Sequence, residues 1–345
     1  MKSNWLDFLR ASGARIDQQL VADFGDPAGE LVAAQEQTIF SPLSHLGLIA
    51  VSGPEAADFL HNQLTSDVRH LPGEMAQHSA WCSAKGRMLA SLLVFRIGPD
   101  YFLQLSADLV EPTLRRLQMF VLRSRLTLGD ASDEDARVGV SGPGAETALR
   151  AAGLPVPELP LAVAAFPAGV VIRLDRTRWE VVVDCDAAPM VWQQLTTRAR
   201  PAGSRAWQWL DICLGVPLIT AATSEEFVPQ MAGFDRLGAL SFRKGCYPGQ
   251  EVVARTQYLG KVKRHLYRAH SAAPLLPGQL VYSPANPQQH CGVVANAAPS
   301  PAGGHDALVV AQDNFVPAGD AQLELASPGG AAIRVGPMVD VASAP

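Results

Sequence analysis

The residues best suited to chemistry lie in one stretch of 28 residues, from Ser241 to Arg268. Near its start is a single cysteine, Cys246, followed by the sequence Tyr-Pro-Gly-Gln-Glu. The stretch holds seven Lys or Arg residues and one acid, a net charge of +6. The whole chain has a net charge of −5, so the remaining residues carry −11. A basic segment on an acidic protein indicates a local role for the positive charge.

A helix is predicted directly after Cys246, over residues 248–258, because Pro followed by Gln and Glu is typical of a helix start. A helix N-terminus and neighbouring cations, here Arg243 and Lys244, both favour the thiolate, which is the reactive form of cysteine. The sequence therefore predicts a reactive thiol. A second interpretation stays open, in which Cys246 is a small apolar residue in a tight turn, as free cysteines are often buried.

The segment KGCYPGQEVVAR resembles the K-G-C-x-x-G-Q-E signature of the YgfZ family. These folate-binding proteins are related in fold to the aminomethyltransferase, or T-protein, of the glycine cleavage system. Residues 84–87 (Ala-Lys-Gly-Arg) and 227–230 (Phe-Val-Pro-Gln) match further family segments. T-proteins lack the cysteine of this motif, so the motif separates the two branches.

The resemblance implies a site for tetrahydrofolate or a one-carbon folate derivative, with Cys246 as its catalytic group. No metal site is implied. The residues expected to bind the cofactor are Trp209, Lys244, Tyr247, Gln250, Glu251, Arg255, Lys261, Lys85, Arg87 and Gln230.

Several of these roles have plain alternatives. Trp209 matches a family tryptophan associated with folate, and an indole can stack on a pterin ring, but a Trp in an apolar run can equally pack in a core. Lys85 and Arg87 lie on a predicted hairpin turn, where they can bind an anion or be solvated. The glutamate tail of folate is anionic, so Lys261, Lys263 and Arg264 are reasonable partners for it.

The chain departs from the family pattern at two positions. A second folate-associated tryptophan falls near Leu46 here. The T-protein glutamate that resembles a pterin-binding acid falls at Cys213, and a thiol is a poor acceptor for the donor-rich pterin edge. Asp211 or the pair Glu225 and Glu226 are nearby carboxylates that could replace it.

Composition limits the class of protein. With 345 residues, 48% hydrophobic and 18% charged, the chain can bury substantial cores, and neither a disordered protein nor a coiled coil fits. Its five cysteines form no CxxC pair, so neither a disulfide framework nor a self-contained zinc or iron–sulfur site is expected. No apolar run reaches the roughly 20 residues of a membrane span, and no signal peptide is evident. The expected location is the cytoplasm.

The predicted fold class is α+β. A strand–turn–helix passage at Val51–Leu60 recurs at Val140–Leu149, which indicates two similar halves. From residue 262 onward, six short strands between Gly and Pro turns indicate an antiparallel barrel. The resemblance implies a three-domain ring like that of YgfZ proteins and T-proteins, with two ferredoxin-like α+β domains and a C-terminal antiparallel β-barrel. The predicted ranges are a weakly packed helical lead-in at 1–36, α+β domains at 37–130 and 131–205, a return segment at 206–261, and the barrel at 262–345.

The resemblance implies a folate-binding accessory protein that supports assembly or repair of iron–sulfur enzymes, including ones that modify tRNA. Its expected partners are folate and, transiently, iron–sulfur enzymes or cluster-assembly proteins, with no membrane partner. The alternative is a folate-dependent aminomethyltransferase or other one-carbon transferase, which needs a carboxylate beside the folate nitrogen. Direct RNA binding by the basic stretch is disfavoured, because no stacking-rich motif accompanies the charge.

Overall fold

The computed structural model describes residues 3–316 and 320–339. Residues 1–2, 317–319 and 340–345, which belong to the predicted ranges 1–36 and 262–345, lie outside the described residues. The chain forms two compact units: unit 1 contains residues up to 59, 69–77 and 93–207, and unit 2 contains 60–68, 78–92 and the residues from 208 onward.

The helices are α1 (Ser3–Ala11), α2 (Pro27–Glu36), α3 (Ala56–Gln63), α4 (Val110–Val121), α5 (Ala145–Ala151), α6 (Ala188–Leu195), α7 (Ser204–Leu214) and α8 (Gln250–Tyr258). The strands are β1 (Arg15–Asp17), β2 (Leu20–Asp23), β3 (Ile39–Pro42), β4 (Leu46–Ser52), β5 (Gln77–Cys82), β6 (Met88–Ile97), β7 (Asp100–Ser106), β8 (Thr127–Asp130), β9 (Asp135–Ser141), β10 (Val163–Phe166), β11 (Gly169–Arg173), β12 (Arg178–Asp184), β13 (Arg200–Pro201), β14 (Arg264–Ser271), β15 (Leu280–Ser283), β16 (Asn286–Pro299), β17 (His305–Gln312), β18 (Ala321–Leu325) and β19 (Ala332–Met338).

Apart from the β1–β2 pair, these strands form two open sheets and one barrel. A six-stranded sheet has the order β10-β11-β12-β9-β3-β13, and a five-stranded sheet has the order β5-β6-β7-β4-β8. The barrel closes in the order β14-β17-β16-β15-β18-β19. Strand β3, at the start of the predicted range 37–130, pairs with β9 in the six-stranded sheet.

Strand β12 shows how the six-stranded sheet is buried on both faces. Successive side chains of a strand point to opposite sides. Val181 and Val183 pack in a cluster with residues of α1, α5 and α6. Val182, between them, packs in a second cluster with Leu48 and Phe95 of the five-stranded sheet. The β-branched residues of β12 therefore belong to a central strand that is covered on both faces, rather than to a half-exposed strand.

The expectation of a weakly packed N-terminal lead-in is wrong. Trp5 and Leu9 of α1 are 1% and 0% exposed, and the Trp5 ring lies 5.7 Å from that of Trp192 in α6. Their i, i+4 spacing places both side chains on one face of the helix, which packs into the core of unit 1.

The predicted repeat is confirmed as a local structure. Strand β4 leads through a turn to α3, and β9 leads through a similar turn to α5. Gly53 and Gly142 occupy these turns with φ of +125° and +112°, where a Cβ would strike the backbone of another segment. In both copies the helix begins two residues after the turn proline, not at it.

The predicted antiparallel barrel is also confirmed, with all six strands present and the ring closed by β14 against β19. Its interior is apolar and includes Tyr267, Val281, Val294 and Val309. Together with the mixed helices and sheets of unit 1, the barrel confirms the predicted α+β class.

His45 is a buried titratable group in unit 1. It is 9% exposed, and both of its ring nitrogens lack a hydrogen-bond partner among the described residues. Burial, together with a smaller effect from the positive charge of Arg137, lowers the pKa of His45 to about 3. The imidazole is therefore neutral in the folded protein at any pH above about 3.

We expect His45 to make the protein acid-sensitive. Between pH 6.5 and 3 the unfolded chain binds a proton at this position that the folded chain does not, so stability is lost as the pH falls through that window. From pH 7 to pH 5 the loss from this residue is about 2 kcal/mol. Urea unfolding at pH 7 and pH 5 measures this loss. The free energy of unfolding should fall less between the two pH values in His45→Gln than in the wild type. Equal losses of unfolding free energy in the wild type and His45→Gln would contradict the lowered pKa of His45.

Candidate functional site

The ammonium of Lys244 is bound by main-chain carbonyls. It donates hydrogen bonds to the carbonyls of His61, Leu64 and Ser66, at 2.6 Å for Leu64 and 2.9 Å for Ser66. These carbonyls lie at and just after the C-terminus of α3, where a cation is favoured. An ammonium has three donors, so this arrangement occupies all of them. The predicted ligand-binding lysine thus anchors the cysteine segment.

A second contact joins the cysteine segment to the hairpin turn between β5 and β6. Gly249 and Gly86 have φ of +81° and +69°, and a Cβ on Gly249 would lie 2.4 Å from the carbonyl oxygen of Ser83. A Cβ on Gly86 would lie 2.8 Å from Val252 of α8. Only glycine permits this approach. Two of the three segments that match the family, residues 84–87 and the cysteine segment, are therefore in contact.

Helix α8 begins at Gln250, two residues later than predicted. Gly249 is the N-cap in the left-handed conformation, so Pro248 precedes the helix instead of opening it. The helix ends at Tyr258 as predicted. Gln230, expected to bind the cofactor, is 3% exposed and donates from Nε2 to the Val253 carbonyl at 2.8 Å, which holds α8 in place.

Cys246 is exposed, whereas Cys82, Cys185 and Cys291 are buried and Cys213 is partly exposed. The buried-turn interpretation of Cys246 is therefore wrong, because Lys244 and the glycine contact hold the segment at the surface.

The next residue, Tyr247, is 6% exposed, and its hydroxyl has no hydrogen-bond partner among the described residues. Burial, with a smaller effect from Cys82, raises the pKa of Tyr247 above its ordinary value. The Lys244 ammonium lies 5.2 Å from the centre of its ring, a cation–π distance. Tyr247 therefore packs beneath the segment and is not open to a ligand.

The remaining predicted binding residues divide by exposure. Lys85, Glu251, Arg255 and Lys261 are exposed, and Gln250 is half-buried. Arg87 is half-buried and donates from Nη1 to the carbonyl of Glu226. Arg243 and Lys263, in the same stretch as Cys246, are also exposed.

Trp209 lies on α7 and is 7% exposed. Its indole Nε1 donates to Asp306 Oδ2 on β17 at 2.8 Å. The other oxygen of Asp306 is 2.8 Å from His270 Nδ1. The indole therefore orients a barrel carboxylate instead of presenting a ring for stacking.

That carboxylate lines a cavity of about 460 Å³ in unit 2. The charged, polar and thiol side chains of the lining are Cys213, Arg268, His270, Asp306, Asp320 and Arg334. Cys246 is not among the lining residues. Sequence reasoning placed Cys213 near the cofactor but missed the barrel residues, because the outward face of a barrel strand carries no motif. Leu46, the other departure from the family pattern, is a buried residue of β4 in unit 1.

Comparison with known proteins identifies the family. A model of the GCVT N-terminal domain family matches residues 23–241. The tRNA-modifying protein YgfZ of Klebsiella pneumoniae (strain 342) is 33% identical over 237 residues, which are 68% of this chain and 72% of that protein. The chain belongs to the YgfZ family. YgfZ of Escherichia coli O127:H6 is 32% identical over the same shares, and that of Photorhabdus laumondii is 33% identical over 68% and 71%.

The YgfZ-family chain also shares its fold with a T-protein. The aminomethyltransferase T of the glycine cleavage system from Bartonella henselae aligns with a TM-score of 0.77 over 99% of this chain and 98% of that one. Sequence identity is 16%, so the match shows the fold alone. The resemblance stated from the sequence motifs is confirmed for both family and fold.

Two further observations concern the described part of this YgfZ-family chain. Residues 3–316 and 320–339 contain no group of three or more His, Cys, Asp or Glu side chains placed to hold a metal ion. Within the same ranges, no helix is both long and apolar enough to cross a membrane.

We expect Lys244→Met to destabilise the protein by about 2 kcal/mol, because it leaves three partly buried carbonyls without their charged donor. Lys261→Met removes an equal charge from an exposed position and should change stability by less than about 0.5 kcal/mol. Urea unfolding of the two variants measures both. Equal stabilities would show that the carbonyl contacts of Lys244 contribute nothing.

Proposed function

We propose that this protein is a folate-binding accessory factor that supports iron–sulfur enzymes, including enzymes that modify tRNA. Family membership supports the connection to tRNA modification, since the curated relatives are named tRNA-modifying proteins. The observation that supports folate binding is the cavity of about 460 Å³, whose wall contains Asp306 and two arginines.

The lining of this cavity fits the chemistry of a folate. A pterin ring presents an amino group and ring N–H donors along one edge, which a carboxylate accepts well. Oδ2 of Asp306 accepts a hydrogen bond from Trp209, and Oδ1 accepts one from His270. Each oxygen retains a second lone pair that can accept from a ligand. Asp306 therefore supplies the carboxylate that Cys213 lacks. The volume lies within the usual range for small-molecule sites.

The other end of a folate is a glutamate tail, and the cavity offers guanidinium groups for it. Arg268 is exposed, and Arg334 contacts Asp320 at 3.2 Å on the surface. Guanidinium groups bind carboxylates through paired hydrogen bonds. A bound reduced folate would supply one-carbon or redox chemistry, while these residues would bind and orient it.

Cys246 provides a second chemical group in the same unit. It is exposed four residues before the start of α8, in a stretch of the sequence rich in cations, which suits a nucleophilic or transiently ligating thiolate. In the proposed function this thiol acts on iron–sulfur cargo or on its protein partner. The alternative function, an aminomethyltransferase, has the support of the fold, but Cys213 replaces the acid expected of that chemistry.

We expect tetrahydrofolate to raise the melting temperature by a few degrees at a concentration 100 times its Kd, because a ligand that binds only the native state stabilises it by about 2.7 kcal/mol there. Asp306→Asn weakens the acceptor facing the pterin and should reduce the shift by at least half at the same concentration. Asp313→Asn changes another barrel carboxylate that contacts a histidine, His265, and should retain the full shift.

Two outcomes of this melting experiment would contradict the folate proposal. The wild type would show no shift at millimolar tetrahydrofolate, or Asp306→Asn would keep a shift equal to that of Asp313→Asn. The second result would place the folate away from this cavity.

Cys246→Ala should abolish support of iron–sulfur enzymes while leaving the folate-induced melting shift intact, because Cys246 does not line the cavity. The measurement is the level of an iron–sulfur-dependent modified nucleoside in tRNA from cells that carry only the variant. Wild-type levels of this nucleoside in the variant would show that the function does not need the Cys246 thiol. Transfer of an aminomethyl group from lipoyl carrier protein to tetrahydrofolate would instead establish the transferase alternative.

A further inference from the structure

A long part of the chain without any acidic residue begins inside α8. From Val252 to His305 the sequence contains five Lys or Arg residues and no Asp or Glu. Three of the five, Arg255, Lys261 and Lys263, fall within nine consecutive residues, and all three are exposed. Like charges that are close in the chain repel one another, so this segment, residues 255–263, favours a partner of opposite charge.

The three exposed cations of the 255–263 segment have no ion pair within residues 3–316 and 320–339. Glu251 lies one turn before Arg255 on α8, but the two side chains form no ion pair in that part of the chain. By contrast, Arg115 on α4 is also exposed and contacts Glu111 at 2.6 Å. The charges of the 255–263 segment are therefore available to a ligand.

The same segment exposes an aromatic ring. Tyr258, the last residue of α8, is 69% exposed, and Leu259 after it is 84% exposed. The rings of Tyr258 and Phe242 lie 5.6 Å apart at an interplanar angle of 68°, which is an edge-to-face contact. This contact limits the motion of the Tyr258 ring, while most of the ring stays open to solvent. An exposed ring held in this way can stack on a nucleic-acid base.

Helix α8 places this ring and one cation on the same side. Val253 is buried, and Arg255 and Tyr258 follow it by two and five residues, so both lie on the opposite face of the helix. Residues three apart on a helix are neighbours. Lys261 and Lys263 follow the end of the helix by three and five residues, a reach of at most about 18 Å. The ring and the cations therefore share one local surface.

We propose that the 255–263 segment binds single-stranded RNA, with a base stacked on Tyr258 and phosphates contacting Arg255, Lys261 and Lys263. Proteins that bind single strands combine cations along the backbone with exposed aromatic rings. An acidic protein would use the cations but has no need of the ring. The sequence showed no stacking-rich motif, and the exposure of Tyr258 supplies a stacking group. The choice of RNA over DNA rests on the proposed function, support of enzymes that modify tRNA.

The test is the affinity of the full chain for a fluorescein-labelled oligouridylate of about 12 nucleotides, measured by fluorescence anisotropy between about 50 and 300 mM KCl. One triple variant changes the three exposed cations of the segment to Gln. The control triple variant changes Arg69, Arg115 and Arg150 to Gln, because these exposed arginines each contact a carboxylate. Both variants lower the net charge by three, so a general electrostatic effect is the same in both.

A second set of variants tests the ring. Tyr258→Leu keeps an apolar side chain beside Phe242 but cannot stack, whereas Tyr258→Phe keeps the ring. Phe120→Leu on α4 is the matched control, because Phe120 is an aromatic residue that is 43% exposed. The melting temperature of each variant establishes that it is folded before its affinity is compared.

We expect the triple variant of the segment to bind the RNA at least tenfold more weakly at the lowest salt concentration. The slope of log K against log salt should fall in magnitude by about two, since each lost phosphate contact removes ~0.7. Tyr258→Leu should bind roughly tenfold more weakly with an unchanged slope. Tyr258→Phe and both controls should match the wild type.

The proposal would be overturned by a wild type that does not bind at the lowest salt, or by equal affinities of the two triple variants. Equal affinities of the wild type and Tyr258→Leu would also overturn it, and displacement of the RNA by poly-L-glutamate would then identify an acidic polypeptide as the partner. The titration uses neither folate nor an iron–sulfur enzyme. RNA binding can therefore fail while the folate proposal holds, and the reverse.

Discussion

One charged group, the ammonium of Lys244, determines where Cys246 lies. The ammonium of Lys244 reaches the carbonyls at the end of α3 and attaches the cysteine segment to that helix. The approach of Gly249 to Gly86 joins the same segment to the β5–β6 hairpin. With both sides held and Tyr247 packed beneath, Cys246 remains at the surface with a defined position. A flexible tether would expose the thiol equally well but would not orient it.

Unit 2 contains two candidate sites, the exposed Cys246 and a cavity beside the barrel. The first is Cys246, which is exposed and belongs to a stretch with several exposed cations, among them Arg243 and Arg255. The cavity on the outer face of the barrel is concave and mixed in polarity, with a carboxylate positioned by Trp209 and His270. Our account assigns the first feature to thiol chemistry and the second to folate. Each assignment can be tested without the other.

Much of the fold could be predicted from the sequence because it depends on local patterns. The barrel strands alternate with Gly and Pro turns, and the repeat at Gly53 and Gly142 needs glycine for its backbone conformation. What could not be predicted depends on contacts between distant residues. The three carbonyls bound by Lys244 are about 180 positions away in the chain, and Asp306 is 97 positions from Trp209. A motif indicates which residues matter, but it cannot indicate whether a lysine binds ligand or main chain.

The central claim is that Lys244 anchors the cysteine segment to α3. Amide hydrogen exchange of peptides covering residues 61–66 and 244–249, compared between wild type and Lys244→Met, tests it directly. Our account predicts faster exchange in both peptides of the variant, with unchanged exchange in β14 and β17 of the barrel. Unchanged exchange in the two peptides would contradict it, because the segment would then hold its position without the ammonium.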